Sequence, residues 1–236
     1  MSDPILRAGA QGPSVKELQN CLNASLRPSP NIATNGHFGH ATYEAVLKFQ
    51  KDNWLFNDGI VGDCTWNALR NTETYRVLHR VHLVTQPTVA TCWAACAAML
   101  LHQSKPVRAP ESMLNKKGEL INDSEQSDGK ISLQFCKLFG FTLFAPQSWD
   151  PSALAGVLRR GPVMCNALIN PAGYVSRMGS ESHWIVFAGI RGDGTADGTT
   201  IRVCDPIAGI RGYEYSVIYG LVLKFRPTLT YQLFQR

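Results

Sequence analysis

Apolar residues in the first seventy positions of the chain recur at helical spacing. One face of a predicted helix over residues 15–26 carries Val15, Leu18, Leu22 and Leu26. Ser14 and Glu17 have the spacing of a capping box, which predicts Ser14 as the N-cap of this helix. Two further helices are predicted near residues 41–52 and 65–69. Three short helices of this kind make a small but sufficient core.

A loop-into-helix unit occurs twice in this region. Residues 35–42 read Asn-Gly-His-Phe-Gly followed by two variable positions and a threonine, and residues 58–65 read Asp-Gly-Ile-Val-Gly with the same ending. The glycines allow tight loops. Thr42 and Thr65 are predicted to satisfy free amide groups at the starts of the two helices.

The rest of the chain alternates between helical and strand-like apolar patterns. Helices are predicted over residues 92–101, 130–139 and 150–160. Strand-length apolar runs lie at residues 162–169, 183–190 and 199–204, with one or two more strands within 213–225. A polar loop is predicted over residues 170–182. The pattern predicts an α+β protein in which a small three-helix domain precedes a domain with an antiparallel sheet.

Length and charge support a division into two domains. The chain has 236 residues, and we predict domains at 1–75 and 76–236. Residues 1–75 hold six Lys/Arg and seven Asp/Glu, a net charge of −1, and the second domain has a net charge of +6. A mildly basic domain tolerates an anionic surface, whereas scattered charges without a basic run argue against nucleic acid. The join has no linker rich in glycine, serine or proline, so close packing of the domains is expected.

Cys92 begins an apolar, alanine-rich segment that reads as a helix start. A sulfur there lies at the positive end of the helix dipole, which favours the nucleophilic thiolate. Gln86, six residues upstream, can place its side-chain amide beside the same helix end, where an oxyanion would form. A cysteine in an apolar helix is more often a small buried residue, and we interpret four others that way: Cys96, Cys136, Cys165 and Cys204.

A predicted hairpin supplies the other half of this candidate site. His183 begins one strand and Asp205 ends the next, with a glycine-rich turn between the strands. The first residue of one strand and the last residue of the following antiparallel strand are neighbours. His183 and Asp205 are therefore predicted to meet as a base and its orienting carboxylate. Asp193 and Asp197, in the turn, are the alternative carboxylates.

The residues from 84 to the C-terminus resemble the papain-like cysteine protease superfamily, in particular the branch of bacteriocin-leader peptidases and plant-pathogen avirulence proteases. The resemblance rests on Gln86, Cys92 with Trp93, His183 and Asp205 in that order. It implies a helical part that carries Cys92 and an antiparallel sheet that carries His183 and Asp205. It also implies that Cys92 is the nucleophile, His183 the base and acid, Asp205 the orienting residue and Gln86 the oxyanion donor.

Residues 5–70 resemble the three-helix peptidoglycan-binding domain found at the ends of many cell-wall hydrolases, through the repeated loop-into-helix phrases. The resemblance implies peptidoglycan as a partner. Candidate wall-binding residues are Phe38, Asp58 and Trp66. Candidate substrate contacts in the second domain are Trp93 and Trp184.

Zinc binding is the main alternative chemistry. Its imagined ligands are Cys92, Cys96, His102, His79 and His82. The Cys-x3-Cys-x5-His spacing inside one apolar helix spreads the ligands over different faces, which disfavours a metal site. We therefore predict no metal and no cofactor. The seven cysteines are odd in number and lack the spacing of a disulfide framework, so they are predicted to be reduced.

The two resemblances together imply a cysteine peptidase or amidase that cleaves amide bonds in peptidoglycan stem peptides or cross-links. Tethering to an insoluble substrate raises the local concentration of the enzyme. The alternative is a papain-like protease that cleaves a protein in a target cell. A non-catalytic wall-binding protein and a transglutaminase-like acyl transferase also stay open.

The residues at the N-terminus suggest how the protein reaches its substrate. They resemble no signal peptide, and no segment has the length of a membrane span. We expect synthesis in the cytoplasm and export by a specialised secretion system, or release by phage lysis, to the periplasm or wall of a target bacterium. The resemblance to injected effectors favours an interbacterial toxin, for which a cognate immunity protein is an expected partner.

Overall fold

The computed structural model describes residues 3–121, 130–145, 147–167, 183–219 and 233–236. The helices in these ranges are α1 (Pro13–Ser25), α2 (His40–Asp52), α3 (Asp63–Arg70), α4 (Cys92–Leu100), α5 (Lys130–Phe139), α6 (Pro151–Leu158) and α7 (Tyr215–Ile218). The strands are β1 (Tyr75–Leu78), β2 (Thr142–Phe144), β3 (Val163–Ala167), β4 (His183–Gly192), β5 (Thr199–Asp205), β6 (Gly209–Glu214) and β7 (Leu233–Gln235). A helical domain followed by a mixed domain confirms the predicted α+β class.

Helices α1 to α3 enclose a separate apolar core in which Leu18, Val46 and Trp66 are fully buried. The predicted N-cap at Ser14 is wrong, because α1 begins at Pro13, two residues earlier than predicted, and Gly12 is its N-cap. The carbonyl of Gly12 accepts the N–H groups of Val15 and Lys16. Glu17 pairs with Arg70 at 2.8 Å instead of closing a capping box, and so links α1 to α3.

The two loop-into-helix units have the same internal hydrogen bonds. The amide nitrogen of Gln19 donates to Thr42 Oγ1 at 3.1 Å, and that of Gln50 donates to Thr65 Oγ1 at 3.3 Å. Each glutamine oxygen also accepts the N–H of the first loop glycine, at 2.9 Å in both units. The prediction that the two threonines cap helices is therefore wrong, since their hydroxyls accept from buried glutamines and the helices show no side-chain cap bond. The repeat itself is structural.

All seven described strands form one antiparallel sheet. Six of them follow the order β2-β7-β3-β4-β5-β6, and β1 pairs with β4. Strand β4 is long enough to pair with β3 over its first half and with β1 over its second half. Buried side chains fill both faces of the sheet, with α6 and α7 contributing to one core cluster and α4 and α5 to the other. The long central strand therefore connects the candidate site at His183 with the N-terminal domain.

The predicted helices of the second domain are present, and one stretch predicted as strand is helical in part. Asp150 caps α6 by accepting the Ala153 N–H at 2.7 Å, as its sequence position indicates. Strand β6 ends at Glu214 and α7 follows at once, so the strand prediction within 213–225 is wrong over Tyr215–Ile218, and residues 220–225 lie outside the described residues. The predicted loop at 170–182 lies outside the described residues. No helix in the described ranges combines the length and apolar character that a membrane crossing requires.

The two domains meet in a polar seam. The guanidinium of Arg191 in β4 bonds both oxygens of Glu73 and the backbone carbonyl of Asn53. Asn67 of α3 donates to Asp193 at 2.8 Å. The boundary predicted after residue 75 stays a prediction, although Tyr75 already pairs with Gly192 in the sheet.

Candidate active site

Cys92 is the first residue of α4, a helix whose nine residues are all buried. Four alanines and Cys96 make its surface smooth and small, so the helix lies close against the sheet. The carbonyl of Thr91 accepts the N–H groups of Ala94 and Ala95, which begins the helix. The earliest N–H groups of an α-helix have no partner within the helix. They surround the Cys92 thiol with partial positive charge.

The β4–β5 hairpin brings His183 and Asp205 together. His183 Nε2 lies 2.9 Å from Asp205 Oδ1, and both side chains are nearly inaccessible to solvent. The same carboxylate oxygen accepts the backbone N–H groups of Ile207 and Ala208 at 2.8 and 3.1 Å. The loop after β5 therefore holds Asp205 in place, and Asp205 in turn orients the imidazole. His183 also shares a hydrogen bond with Cys92, which joins the helix to the hairpin.

His183 and Asp205 each shift the pKa of the other towards its charged form. Burial by itself would lower the pKa of His183, but hydrogen bonds and electrostatic attraction from Asp205 and Cys92 raise that pKa to about 9. Burial would likewise raise the pKa of Asp205, yet the hydrogen bond and charge of His183 hold it below its ordinary value. His183 is therefore an imidazolium at neutral pH, placed between a carboxylate and a sulfur.

Gln86 lies beside this cluster, and its side-chain amide already donates a hydrogen bond. Its backbone N–H donates to the Pro206 carbonyl at 3.3 Å, which places it next to the loop that holds Asp205. Its side-chain nitrogen donates to the Thr88 carbonyl at 2.7 Å. Its side-chain oxygen is buried, with no hydrogen-bond partner among the described residues. Thr88 thus orients Gln86, a contact that the spacing of Gln86 and Cys92 did not predict.

The aromatic residues predicted as ligand contacts are mostly buried. Trp93 is 3% exposed and donates its indole N–H to the Gly118 carbonyl, and its predicted contact with substrate stays a prediction. Trp184 is half-buried and stacks edge-on against Phe234. Trp66 has no exposed surface and Phe38 is 1% exposed, and their predicted roles in wall binding stay predictions. A large aromatic residue near a sequence motif can pack in a hydrophobic core as readily as it can line a binding surface.

Asp58 is the one predicted wall-binding residue that is partly exposed. Its carboxylate accepts the Ile60 N–H at 2.9 Å and the Gln50 amide at 3.1 Å. It therefore shapes the second loop-into-helix unit.

Among the residues considered as zinc ligands, His79 bonds the Leu158 carbonyl at 2.5 Å. In the part of the chain that the structure describes, no group of three metal-ligating side chains comes together as a metal site would require.

The fold and this geometry define a class of protein. A cysteine on a buried helix beside a histidine–aspartate pair on an antiparallel sheet is the arrangement of papain-like cysteine proteases. Residues 71–218 match the family model described as papain-like cysteine protease AvrRpt2, and the chain belongs to that family. Residues 11–69 match a peptidoglycan binding domain, so an N-terminal peptidoglycan-binding domain precedes the protease domain.

Individual relatives match smaller parts of the chain. An uncharacterized protein in the bpoA1 3′ region of Kitasatospora aureofaciens is 44% identical over 69 residues, which are 29% of this chain and 57% of that protein. The SleB N-terminal domain is 32% identical over 30% of this chain and 96% of its own, with a TM-score of 0.28. A Burkholderia AP3 phage endolysin is 30% identical over 42% of this chain and 33% of its own, with a TM-score of 0.27. The chain thus spans little more than half the length of the curated relative it matches.

Proposed function

We propose that the protein is a cysteine hydrolase that cleaves amide bonds in peptidoglycan stem peptides or cross-links. The observation that carries the proposal is that one chain joins a peptidoglycan-binding domain to a cysteine protease domain. In the second domain His183 is hydrogen-bonded to both Cys92 and Asp205. A wall-binding domain holds the hydrolase at an insoluble polymer and raises its effective concentration there. The net charge of +6 on residues 76–236 suits an anionic polymer.

In the proposed mechanism the sulfur of Cys92 attacks the carbonyl carbon of the scissile amide. A carbon–sulfur bond forms and the carbonyl oxygen becomes an oxyanion. The His183 imidazolium, charged at neutral pH because its pKa is about 9, gives its proton to the leaving nitrogen as the carbon–nitrogen bond breaks. The neutral imidazole then takes a proton from water, the hydroxide attacks the thioester, and the Cys92 sulfur leaves. Asp205 holds the imidazole in one orientation throughout.

Gln86 and the backbone amide of Cys92 are the proposed oxyanion donors. The carboxamide nitrogen of Gln86 carries two hydrogens, and the Thr88 carbonyl takes one. The second hydrogen serves the oxyanion. Because Thr88 fixes the amide beforehand, little reorganisation is needed when the charge develops, which is the condition for strong electrostatic stabilisation.

The proposal extends to the setting in which the enzyme acts. A thiol hydrolase at the wall fits either an endopeptidase specificity (D,D or D,L) or an amidase specificity. The avirulence-protease family favours an injected antibacterial toxin over a phage lysin, with the periplasm or wall of a target bacterium as the site of action. A cognate immunity protein that covers Cys92 is then the expected partner.

The family name also favours a second candidate function, because it describes a protease. In that case the hydrolase domain cleaves a protein inside a target cell, and the wall-binding domain serves delivery. The two candidates differ in the substrate that the purified protein consumes.

A digest of purified sacculi tests the proposal. Sacculi are incubated with the wild-type protein and with Cys92→Ala, and the soluble products are identified by chromatography and mass spectrometry. Fragments released by the wild type alone are expected, and their masses name the bond. Intact sacculi that still bind the protein, together with cleavage of a protein substrate, would favour the second candidate.

A further inference from the structure

We propose that a groove along the domain seam, here called the seam groove, binds the carboxylate-bearing part of the substrate. The seam groove has a volume of about 560 Å³. Lys51 and residues 54–57 of the N-terminal domain form one wall, and residues of β5 and β6 form the other. The ligand named here, a stem peptide with free carboxylates, rests on the proposed function.

The charge of the seam groove indicates an anionic ligand. Lys51, Arg202 and Arg211 line it, and no carboxylate does so among the described residues that form it. Within the described part of the chain none of the three cations is in an ion pair, whereas the nearby Lys48 pairs with Asp52 at 2.6 Å. The guanidinium of Arg202 lies 5.9 Å from the ring centroid of Trp54. Such a contact positions a cation without neutralising it, so the guanidinium stays available to a carboxylate.

The walls of the seam groove also offer apolar surface. Phe56 is 45% exposed and Ile210 is 38% exposed, although both are large hydrophobic residues. The rings of Phe56 and Tyr213 lie 6.5 Å apart and bridge the two domains. A peptide with short apolar side chains and free carboxylates complements both the apolar and the charged surfaces. Stem peptides have this chemistry.

The seam groove and Asp205 share the β5–β6 hairpin. In the β5–β6 ladder, Asp205 pairs with Gly209 and Val203 pairs with Arg211. At about 3.4 Å per residue, Arg211 lies about 7 Å along the sheet from Asp205. The seam groove then leads towards the N-terminal domain, where the Trp54 carbonyl lies so close to Gly212 that a Cβ there would collide with it. The seam groove thus joins the hairpin that carries Asp205 to the N-terminal domain, and a peptide bound there contacts both.

Calorimetric titration of the full chain carrying Cys92→Ala measures this binding without turnover. The probes are a disaccharide tetrapeptide with free carboxylates and the same muropeptide with its carboxylates amidated. Arg211→Gln is expected to weaken binding of the free form about 10-fold and of the amidated form less than about 2-fold, since only the free form loses a charged partner. The matched control is Arg76→Gln, an exposed arginine of β1 outside the seam groove, with no change expected.

The outcomes separate the seam groove from the proposed function. Equal weakening of both probes, no weakening, or no binding of the free form would overturn the inference. Tighter binding of tetraglutamate than of the muropeptide would assign the seam groove to a protein substrate and overturn the ligand named here. Binding that depends on Arg211 while sacculi stay intact would keep the seam groove and reject peptidoglycan cleavage. Digestion of sacculi with unchanged binding by Arg211→Gln would do the reverse.

Discussion

The Oδ1 atom of Asp205 lies 2.9 Å from Nε2 of His183 and is held from behind by two backbone N–H groups. Asp193, in the turn between β4 and β5, has different partners. Asp193 accepts from Asn67 at 2.8 Å and from the Thr195 N–H at 2.8 Å, which engages it in the domain seam. Asp205 is therefore the residue that can orient the imidazole.

Replacing Asp205 by alanine is expected to reduce kcat/KM for muropeptide release by about 100-fold or more, because the imidazole loses the group that fixes its orientation and charge. Asp193→Ala is the matched control. It is expected to keep activity within about 2-fold and to lose about 1 kcal/mol of stability, since it breaks hydrogen bonds only at the seam and in the hairpin turn. Rates from soluble product release and urea unfolding curves measure both effects. Full activity of Asp205→Ala with loss in Asp193→Ala would disprove the assignment.

The ionisation of His183 predicts a fall of activity in alkaline solution. Its pKa is about 9, and the imidazolium supplies the proton for the leaving nitrogen. The pH profile of kcat/KM is therefore expected to decline on the alkaline side with an apparent pKa near 9. A profile that stays flat through that pH would show that another acid protonates the leaving group.

The same ionisation predicts a loss of stability at high pH. The pKa of His183 in the native protein, about 9, lies above its ordinary value of 6.5, so the folded state binds this proton more tightly than the unfolded state. The stabilisation is complete below pH 6.5 and is lost as the pH rises through about 9. Urea unfolding at neutral and alkaline pH is expected to show a loss of about 1–3 kcal/mol. His183→Gln, which cannot titrate, should lack this part of the decline.

Cys92 and Cys21 are expected to differ in reactivity because of the groups that surround each thiol, and not because of how exposed each thiol is. Cys92 is 8% exposed, whereas Cys21 is more accessible. Burial and the charge of Glu17 raise the pKa of Cys21, while Cys92 lies at a helix start beside the His183 imidazolium. Iodoacetamide at neutral pH is expected to modify Cys92 about 10-fold faster than Cys21. Peptide mapping measures both rates, and His183→Ala should slow only Cys92; equal rates in the wild type would argue against an activated sulfur.

Much of the candidate site could be predicted because its signals are local. The apolar run from Cys92 predicts a helix start, and the turn after His183 predicts the hairpin that brings Asp205 to it. The hydrogen bond from Gln86 to Thr88 could not be predicted, because it depends on the path of one short loop. The burial of Trp93 could not be predicted either, since an aromatic residue beside a nucleophile suits a core and a binding surface equally.

The errors in the N-terminal domain have a related cause. Ser14 has the correct spacing for a capping box, but Glu17 finds a stronger partner in Arg70, 53 residues away. The domain seam is also built from distant residues, since Glu73 and Arg191 are 118 positions apart and no periodicity links them. Contacts of this range depend on how the finished domains fit together.

The ion pair between Arg191 and Glu73 makes the seam a testable part of the fold. Arg191 is 1% exposed and the Glu73 side chain is 6% exposed, so removing one partner leaves a buried charge without compensation. Arg191→Ala is expected to lose about 3–5 kcal/mol of stability. Arg76 is the matched control, because it faces Arg191 across the β1–β4 ladder but is exposed, and Arg76→Ala should change stability by less than about 0.5 kcal/mol. Urea unfolding followed by tryptophan fluorescence measures both variants. Equal stabilities would mean that the seam contributes nothing to folding, whereas a second transition in Arg191→Ala alone would show that the pair couples the two domains.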